Sequence, residues 1–120
     1  MSPRVLIVED DRDLARVLQL SLRQLRPDCR VELAASGAEA LAMAEAEPPD
    51  LVVLDVRIPP PDGFEVCRRL REASRVPILM MTAHDSPADR ERALRLGADD
   101  FLTKPFDHAT FLTRVRALVP

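Results

Sequence analysis

The sequence contains neither tryptophan nor tyrosine, and four phenylalanines are its only aromatic residues. A surface that stacks the bases of single-stranded nucleic acid needs aromatic side chains, so this scarcity argues against that function. A basic excess is also lacking, because the net charge is −3 at pH 7. DNA-binding domains normally carry a basic patch or stripe, so we do not expect this chain to bind DNA directly.

Cysteines are few and long hydrophobic runs are absent. Cys29 and Cys67 lack metal-ligand spacing, and we expect both to be buried, hydrophobic side chains in a reducing compartment. The apolar run 5–8 is too short for a signal peptide, and no run approaches a membrane span. We therefore expect one soluble, cytoplasmic domain, residues 1–120, with no membrane partner.

Five apolar runs alternate with five helical patterns along the chain. The first, third and fourth runs are continuous and suit strands covered on both faces, whereas the mixed second and short fifth runs suit edge strands. The predicted strands are residues 5–8, 31–34, 51–54, 78–81 and 101–103. Strictly alternating strands and helices predict a (βα)5 fold, an α/β domain with a doubly wound parallel sheet.

Capping residues and prolines delimit the predicted helices. The first spans about 11–26 and ends before Pro27, and the second starts at Ser36, with Glu39 forming a capping box, and ends before Pro48. The remaining three start near Asp62, Ser86 and Asp107. In such a sheet, ligands bind beyond the carboxyl ends of the strands.

Polar residues stand at four of these strand ends. They are Glu9, Asp10, Asp11, Asp55, Thr82, which Ala83 follows, and Lys104, the only lysine among 17 basic residues. Neighbouring carboxylates repel unless a cation intervenes, and Mg²⁺ prefers such oxygen ligands. Aspartate can form an acyl phosphate, so we predict a Mg²⁺ site with Asp55 as nucleophile and Lys104 neutralising charge.

Simpler interpretations compete with this one. Acidic residues often cap the following helix, and we favour that interpretation for Asp11. It is weak for Asp55, which lies seven residues before the next helical pattern. Thr82 would be uninformative alone. Lys104 could be a solvated surface residue, but its strand ends at the same edge of the sheet as the acids.

Four segments, in order, carry a resemblance to a known family. They are "VLIVEDD", "LVVLDVRIPPPDGFEVCRRLR", "VPILMMTAHD" and "LGADDFLTKPF". Over essentially its whole length the chain resembles the receiver domain of bacterial two-component response regulators, and the last two segments resemble the OmpR/PhoB subfamily. This resemblance implies a CheY-like, flavodoxin-like sheet with strand order 2-1-3-4-5.

The resemblance implies a role for each site residue. Asp10 and Asp55 would ligate Mg²⁺ directly, Glu9 through water, and Arg57 through its backbone carbonyl. Mn²⁺ could substitute for Mg²⁺. Asp55 would be the phosphoacceptor.

The remaining roles concern the phosphoryl group and the switch that responds to it. Lys104 and the backbone N–H of Ala83 would contact the phosphoryl group. Thr82 would move toward it, and Phe101 would turn into the vacated space. The Lys104–Pro105 bond is expected to be cis.

The implied partners are a sensor histidine kinase and a second copy of the chain. The kinase would donate the phosphoryl group, and the domain would act as a switch rather than as an enzyme, assisting its own dephosphorylation. A homodimer would form through the fourth helix, fifth strand and fifth helix, using Asp99, Asp100 and Arg114. Because Arg95 could meet Arg116, we expect this dimer to be weaker than typical or differently arranged.

Output would be transcription, and we expect this receiver to be excised from a longer regulator that has a separate C-terminal DNA-binding domain. The alternatives are a stand-alone receiver, a receiver that no longer accepts phosphate, a flavin-binding domain, and a small phosphatase or phosphotransferase with an aspartyl-phosphate intermediate. Such enzymes typically place a second acid where Arg57 stands. We also hypothesise that His84 tunes the phosphoryl lifetime, and that the prolines at 59–61 stiffen the loop after Asp55.

Overall fold

The computed structural model describes residues 2–83 and 86–120, in which five strands alternate with five helices. Their bounds are β1 Arg4–Val8, α1 Arg12–Leu25, β2 Arg30–Ala34, α2 Gly37–Ala46, β3 Leu51–Asp55, α3 Gly63–Ala73, β4 Ile78–Thr82, α4 Pro87–Arg95, β5 Asp100–Thr103 and α5 His108–Leu118. Each agrees with its predicted counterpart to within a few residues. None of the helices in the described part of the chain is long and apolar enough to cross a membrane.

All strands are parallel, in the order β2-β1-β3-β4-β5. The two edges are therefore the strands with the least apolar sequences, as predicted. Alternate side chains of the central strands enter two hydrophobic clusters, one on each face of the sheet. Cys67 packs in one cluster and Cys29 in the other, which confirms that both cysteines are buried.

Side-chain caps explain where the helices begin. In every helix, a side-chain oxygen of the capping residue accepts backbone N–H hydrogen bonds from the first turn; these residues are Asp11, Ser36, Asp62, Ser86 and Asp107. The predicted capping box at α2 is only half formed. Ser36 Oγ accepts from the backbone of Glu39, but the Glu39 carboxylate accepts from Ala35 rather than from Ser36.

Strand β1 begins one residue earlier than predicted, at the buried Arg4. Its guanidinium donates to the carboxylate of Glu32 on β2 and to the carbonyl oxygens of Met43 and Glu47 around the end of α2. Its backbone N–H donates to Asp50 Oδ2 over 2.7 Å. Arg4 therefore joins three elements at the amino-terminal end of the sheet.

Backbone hydrogen bonds hold the loop after β3 in two places. Two backbone N–H groups at the start of α2 donate to it, Gly37 to Pro59 over 2.9 Å and Ala38 to Pro60 over 3.2 Å. A Cβ atom at Gly37 would lie 1.9 Å from the Pro61 oxygen, so this close approach requires glycine. On the other side, the Gly63 N–H donates to Val56 over 2.9 Å.

Candidate functional site

The carboxyl ends of the strands bring three acidic side chains together. Glu9 and Asp10 follow β1, and Asp55 ends the adjacent strand β3. One carboxylate oxygen from each residue lies within 4.8 Å of the other two. Glu9 and Asp55 are buried, whereas Asp10 is exposed. The predicted convergence of these three acids is thus confirmed.

Lys104 joins this cluster from beyond β5. Its Nζ donates to Asp55 Oδ2 over 2.7 Å and also to Glu9 Oε1. The lysine and its two carboxylate partners come from segments separated by 49 and 95 residues. One ammonium group therefore bridges two buried acids.

Backbone donors hold the other oxygens of the same two acids. Asp55 Oδ1 accepts from the Arg57 N–H over 3.1 Å, and Glu9 Oε2 accepts from the Asp11 N–H over 3.1 Å. Asp11 itself caps α1 and is absent from the acidic cluster, as we expected. Each buried carboxylate is therefore oriented by one backbone group and one shared lysine. These backbone donors could not be predicted from the sequence, because residue types do not reveal the turn conformation that directs them.

The electrostatics of the cluster favour a cation. Burial raises the pKa of Glu9 from 4.5 to about 7, against the opposing effect of the hydrogen bond from Lys104. Burial alone would lower the pKa of Lys104, but the hydrogen bonds that its ammonium group donates to Asp55 and Glu9 outweigh burial and raise that pKa. The cluster thus contains three carboxylates, of which two contact the one ammonium group, and carboxylate oxygens are the ligands that suit Mg²⁺.

Thr82 and Phe101 are buried residues of the neighbouring strands β4 and β5. Thr82 is fully buried at the end of β4, and its carbonyl accepts from the Lys104 N–H over 2.7 Å. The Phe101 ring on β5 is also buried, with the Arg90 guanidinium carbon 5.3 Å from its centroid. The ring therefore already occupies a buried position here. The Lys104–Pro105 bond is cis, as expected.

A cavity of about 320 Å³ opens beside the cluster. Its lining consists of Leu14, Ala83, Lys104, Pro105 and Phe106. The cavity is largely apolar and gives access to the lysine from outside. It could not be found from the sequence, because its walls come from α1 and from two separate loops. His84 lies outside the described residues.

The residues predicted to form the dimer make hydrogen bonds and ion pairs within the chain. Arg114 Nη1 contacts both carboxylate oxygens of Asp100, at 2.7 and 2.8 Å. Asp99 Oδ2 accepts from the Ile78 N–H over 2.8 Å and from Arg71 over 3.2 Å. These contacts do not test the dimer, but a second copy would have to compete with them.

A doubly wound five-stranded sheet, with three acids and one lysine at its carboxyl end, defines a CheY-like signalling domain. Residues 5–116 match the sequence profile of the response regulator receiver domain, and the chain belongs to this family. It is the receiver domain of a two-component response regulator. The prediction made from the four sequence segments is confirmed.

Similar proteins agree with this assignment. The chain is 44% identical to PhoP of Bacillus subtilis, the alkaline phosphatase synthesis transcriptional regulatory protein, over 99% of this chain but only 49% of that protein. Thus it spans about half the length of this relative. The structure of the chemotaxis protein CheY4 of Vibrio cholerae is 32% identical, with a TM-score of 0.90 over 99% of this chain and 100% of that one. The non-phosphorylated HemR receiver domain of Leptospira biflexa is 36% identical, with a TM-score of 0.89 over 98% and 94%.

Proposed function

We propose that Asp55 accepts a phosphoryl group from a phosphohistidine of a sensor histidine kinase. One observation carries this proposal: Asp55 is a buried carboxylate held by Lys104 and by the Arg57 N–H, beside Glu9 and Asp10. A carboxylate oxygen of Asp55 attacks phosphorus, a phosphorus–oxygen bond forms, and the phosphorus–nitrogen bond breaks with its electron pair staying on the imidazole. The product is an acyl phosphate.

The surrounding side chains manage charge during this transfer. Glu9, Asp10 and Asp55 would hold Mg²⁺, which when bound neutralises charge on the phosphoryl oxygens. The buried acids fit that ion because they supply only oxygen donors, with one ammonium group against three carboxylates. Lys104 already contacts Asp55 and pairs with the incoming phosphoryl group there. Phosphoryl transfer depends mainly on such positioning and neutralisation. The carbonyl of Arg57 and the water-mediated role of Glu9 belong to the same proposal.

Phosphorylation then acts as a switch. The new charge on Asp55 attracts the Thr82 hydroxyl and the Ala83 N–H at the end of β4, and the Phe101 ring holds the space behind Thr82. The burial of Thr82 and Phe101 on adjacent strands supports this coupling. A local charge change thereby shifts the packing of α4, β5 and α5. The domain assists its own dephosphorylation but has no separate substrate.

Transcription is the output that the similarity to PhoP supports, through a DNA-binding domain in a longer, cytoplasmic protein. In that arrangement residues 1–120 are the receiver, and DNA is contacted only by the other domain. Dimerisation would use α4, β5 and α5. We expect a weak dimer, because Asp99 and Asp100 are engaged internally. Light scattering that finds a tight dimer of the phosphorylated chain would contradict this.

Intact-mass spectrometry tests the phosphoacceptor. The chain is incubated with Mg²⁺ and a small phosphodonor such as acetyl phosphate. We expect one added phosphoryl group, which disappears in Asp55→Asn and on chelation of the metal.

Asp11→Asn is the matched control. This acid is adjacent to the cluster, but its side chain caps α1, and asparagine preserves a cap. The control should incorporate phosphate as the unmodified chain does. Incorporation by Asp55→Asn at the unmodified level, or none by the unmodified chain, would contradict the proposal.

A further inference from the structure

A groove between α2 and α3 lies at the end of the sheet opposite the phosphorylation site. Its volume is about 550 Å³, against about 320 Å³ for the cavity beside Lys104. The apolar residues that line it include Leu41, Ala44, Pro48, Pro49, Leu70 and Ala73. Two of them, Leu41 and Ala44, are only partly buried. The groove therefore exposes apolar surface that a single copy of the chain does not cover.

The unpaired charge at this groove is negative. Two charged side chains line it, and Arg69 is already paired, because it donates to Glu65 Oε2 over 2.8 Å. Glu45 makes no hydrogen bond or ion pair with any residue that the structure describes. Of the five helices, only α2 lacks a basic residue in its last turn, where a cation is favourable. The groove therefore suits an apolar group that has a cation beside it.

Helix α1 presents a surface of this kind. Among the described residues, three large hydrophobic side chains are exposed, and two of them are Val17 and Leu20, at 52% and 47%. They are three residues apart and so lie on the same side of the helix. Two exposed arginines border Leu20, Arg16 four residues before it and Arg23 three residues after it, and neither forms an ion pair with a described residue. We refer to these four residues as the α1 patch.

The groove and the α1 patch lie on opposite faces of the sheet. Helix α1 packs on one face through Leu18 and Leu22, whereas Leu41 and Leu70 at the groove pack on the other. A chain therefore cannot fill its own groove, but a second copy can. Such a contact joins two different surfaces, so each added copy leaves a free α1 patch at one end and a free groove at the other.

We propose that α1 of a second copy docks in this groove and that copies associate head to tail. The apolar pair of the α1 patch contacts the apolar walls, and its arginines approach Glu45 and the last carbonyl groups of α2. An amphipathic helix in an apolar groove is a recurring mode of recognition. The contact uses neither α4, β5 nor α5, and it does not require phosphorylation of Asp55.

Sedimentation velocity of the 120-residue chain in a chelator tests this association without phosphorylation. Between about 10 μM and 1 mM, where weak association becomes measurable, we expect the average mass to rise from 13.4 kDa past that of two copies. The double variant Val17→Gln with Leu20→Gln should remain monomeric, and so should Ala73→Arg, which puts a charged side chain in the groove. Leu94→Gln is the matched control, because Leu94 is 51% exposed but lies on α4, and it should associate normally. All four positions are exposed, so the variants should fold, which circular dichroism verifies.

A mixture of the two monomeric variants identifies the contact. The glutamine double variant retains the groove, and Ala73→Arg retains the α1 patch, so one copy of each can form a single contact. We expect the equimolar mixture to reach the mass of two copies and no more. Glu45→Gln should weaken association of the otherwise unmodified chain by about threefold, whereas Glu91→Gln, which removes an exposed acid from α4, should not.

The remaining outcomes contradict the inference. An unmodified chain that stays monomeric overturns it and leaves the groove to a helix of a different protein. Assembly that stops at two copies, or association of the double variant alone, would place the contact elsewhere. A mixture that stays monomeric or grows beyond two copies would show that α1 does not dock in the groove, and equal effects of Glu45→Gln and Glu91→Gln would exclude the charge pairing. None of these results bears on the phosphorylation of Asp55.

Discussion

Both ends of the sheet contain buried charged groups, a cation at the amino-terminal end and two acids at the carboxyl end. At the amino-terminal end, the cation Arg4 is surrounded by carbonyl oxygens and by the half-exposed carboxylate of Glu32. At the carboxyl end, the buried acids Glu9 and Asp55 share the single ammonium group of Lys104. The first end has acceptors for its one buried cation, whereas at the second end the buried acids outnumber the ammonium group that contacts them.

Burying a charged side chain can therefore contribute either to the stability of the fold or to binding and reaction at a site. A buried charge whose hydrogen-bond partners are all in place connects elements of the fold and does not call for a ligand. A buried cluster with unbalanced charge raises the pKa of its acids, as Glu9 demonstrates, and favours the arrival of a cation. Stability should therefore depend mainly on the Arg4 end, and phosphorylation on the Lys104 end.

The largest expected effect is that of Arg4→Met on stability. Removing the guanidinium takes the donor from the Glu47 carbonyl and from the Glu32 carboxylate, so we expect a loss of about 3 kcal/mol in the free energy of unfolding. Chemical denaturation followed by circular dichroism measures it. Phosphate incorporation by the folded fraction should not change.

Arg30→Met provides the control at the same end. Arg30 also contacts Glu47, but its side chain is 54% exposed, so the substitution should have little effect. Equal destabilisation by the two variants would show that burial is not what distinguishes Arg4.

Lys104→Met should give the next largest effect, on reaction rate. Without the ammonium group, charge on the phosphoryl oxygens is less well neutralised, and we expect incorporation from acetyl phosphate to slow by about a hundredfold. Quenched samples analysed by intact mass give the rate. In Arg12→Met, which removes an exposed cation at the start of α1, the rate should remain near normal. Similar slowing in both variants would point to a general charge effect.

The smallest effect concerns the pH dependence of the metal-free protein. Burial raises the pKa of Glu9 from 4.5 to about 7, so the folded chain keeps a proton that the unfolded chain releases. Stability should then fall as the pH rises from 4.5 through 7. Denaturation in a chelator at several pH values measures this slope.

Glu9→Gln isolates that contribution, since glutamine cannot titrate. The difference in slope between the unmodified chain and this variant belongs to Glu9. Mg²⁺ should also flatten the slope, because a cation favours the ionised acid. A slope that is identical in Glu9→Gln would mean that another group is responsible.

The sequence predicts most of this fold because its local signals agree. Each central strand is a continuous apolar run, and each helix follows a residue that caps it. Arg4 was missed for a physical reason: a charged residue at the start of an apolar run is normally assigned to solvent. Its burial depends on acceptors from β2 and α2, whose positions become known only in the folded chain.

The site was predictable to a similar degree. Parallel strands bring their carboxyl ends to one edge, so Glu9, Asp10, Asp55 and Lys104 could be expected together. The sequence could not reveal that Lys104 bridges Glu9 and Asp55, because this depends on side-chain rotamers and atomic distances. The roles assigned to the individual site residues, including Thr82, Ala83, Phe101 and His84, and to the dimer residues remain predictions.

The fixed loop after β3 has a consequence for how a signal leaves Asp55. On one side of the phosphoacceptor, the carbonyls of Pro59 and Pro60 accept hydrogen bonds from the start of α2. Gly37 packs closely against Pro61, so the loop has little room to move toward α2. The opposite side contains β4 and the edge strand β5, which has only one neighbour. A conformational change at Asp55 is restrained on the α2 side and less restrained on the side of β4 and β5. The change should therefore propagate toward the edge strand β5.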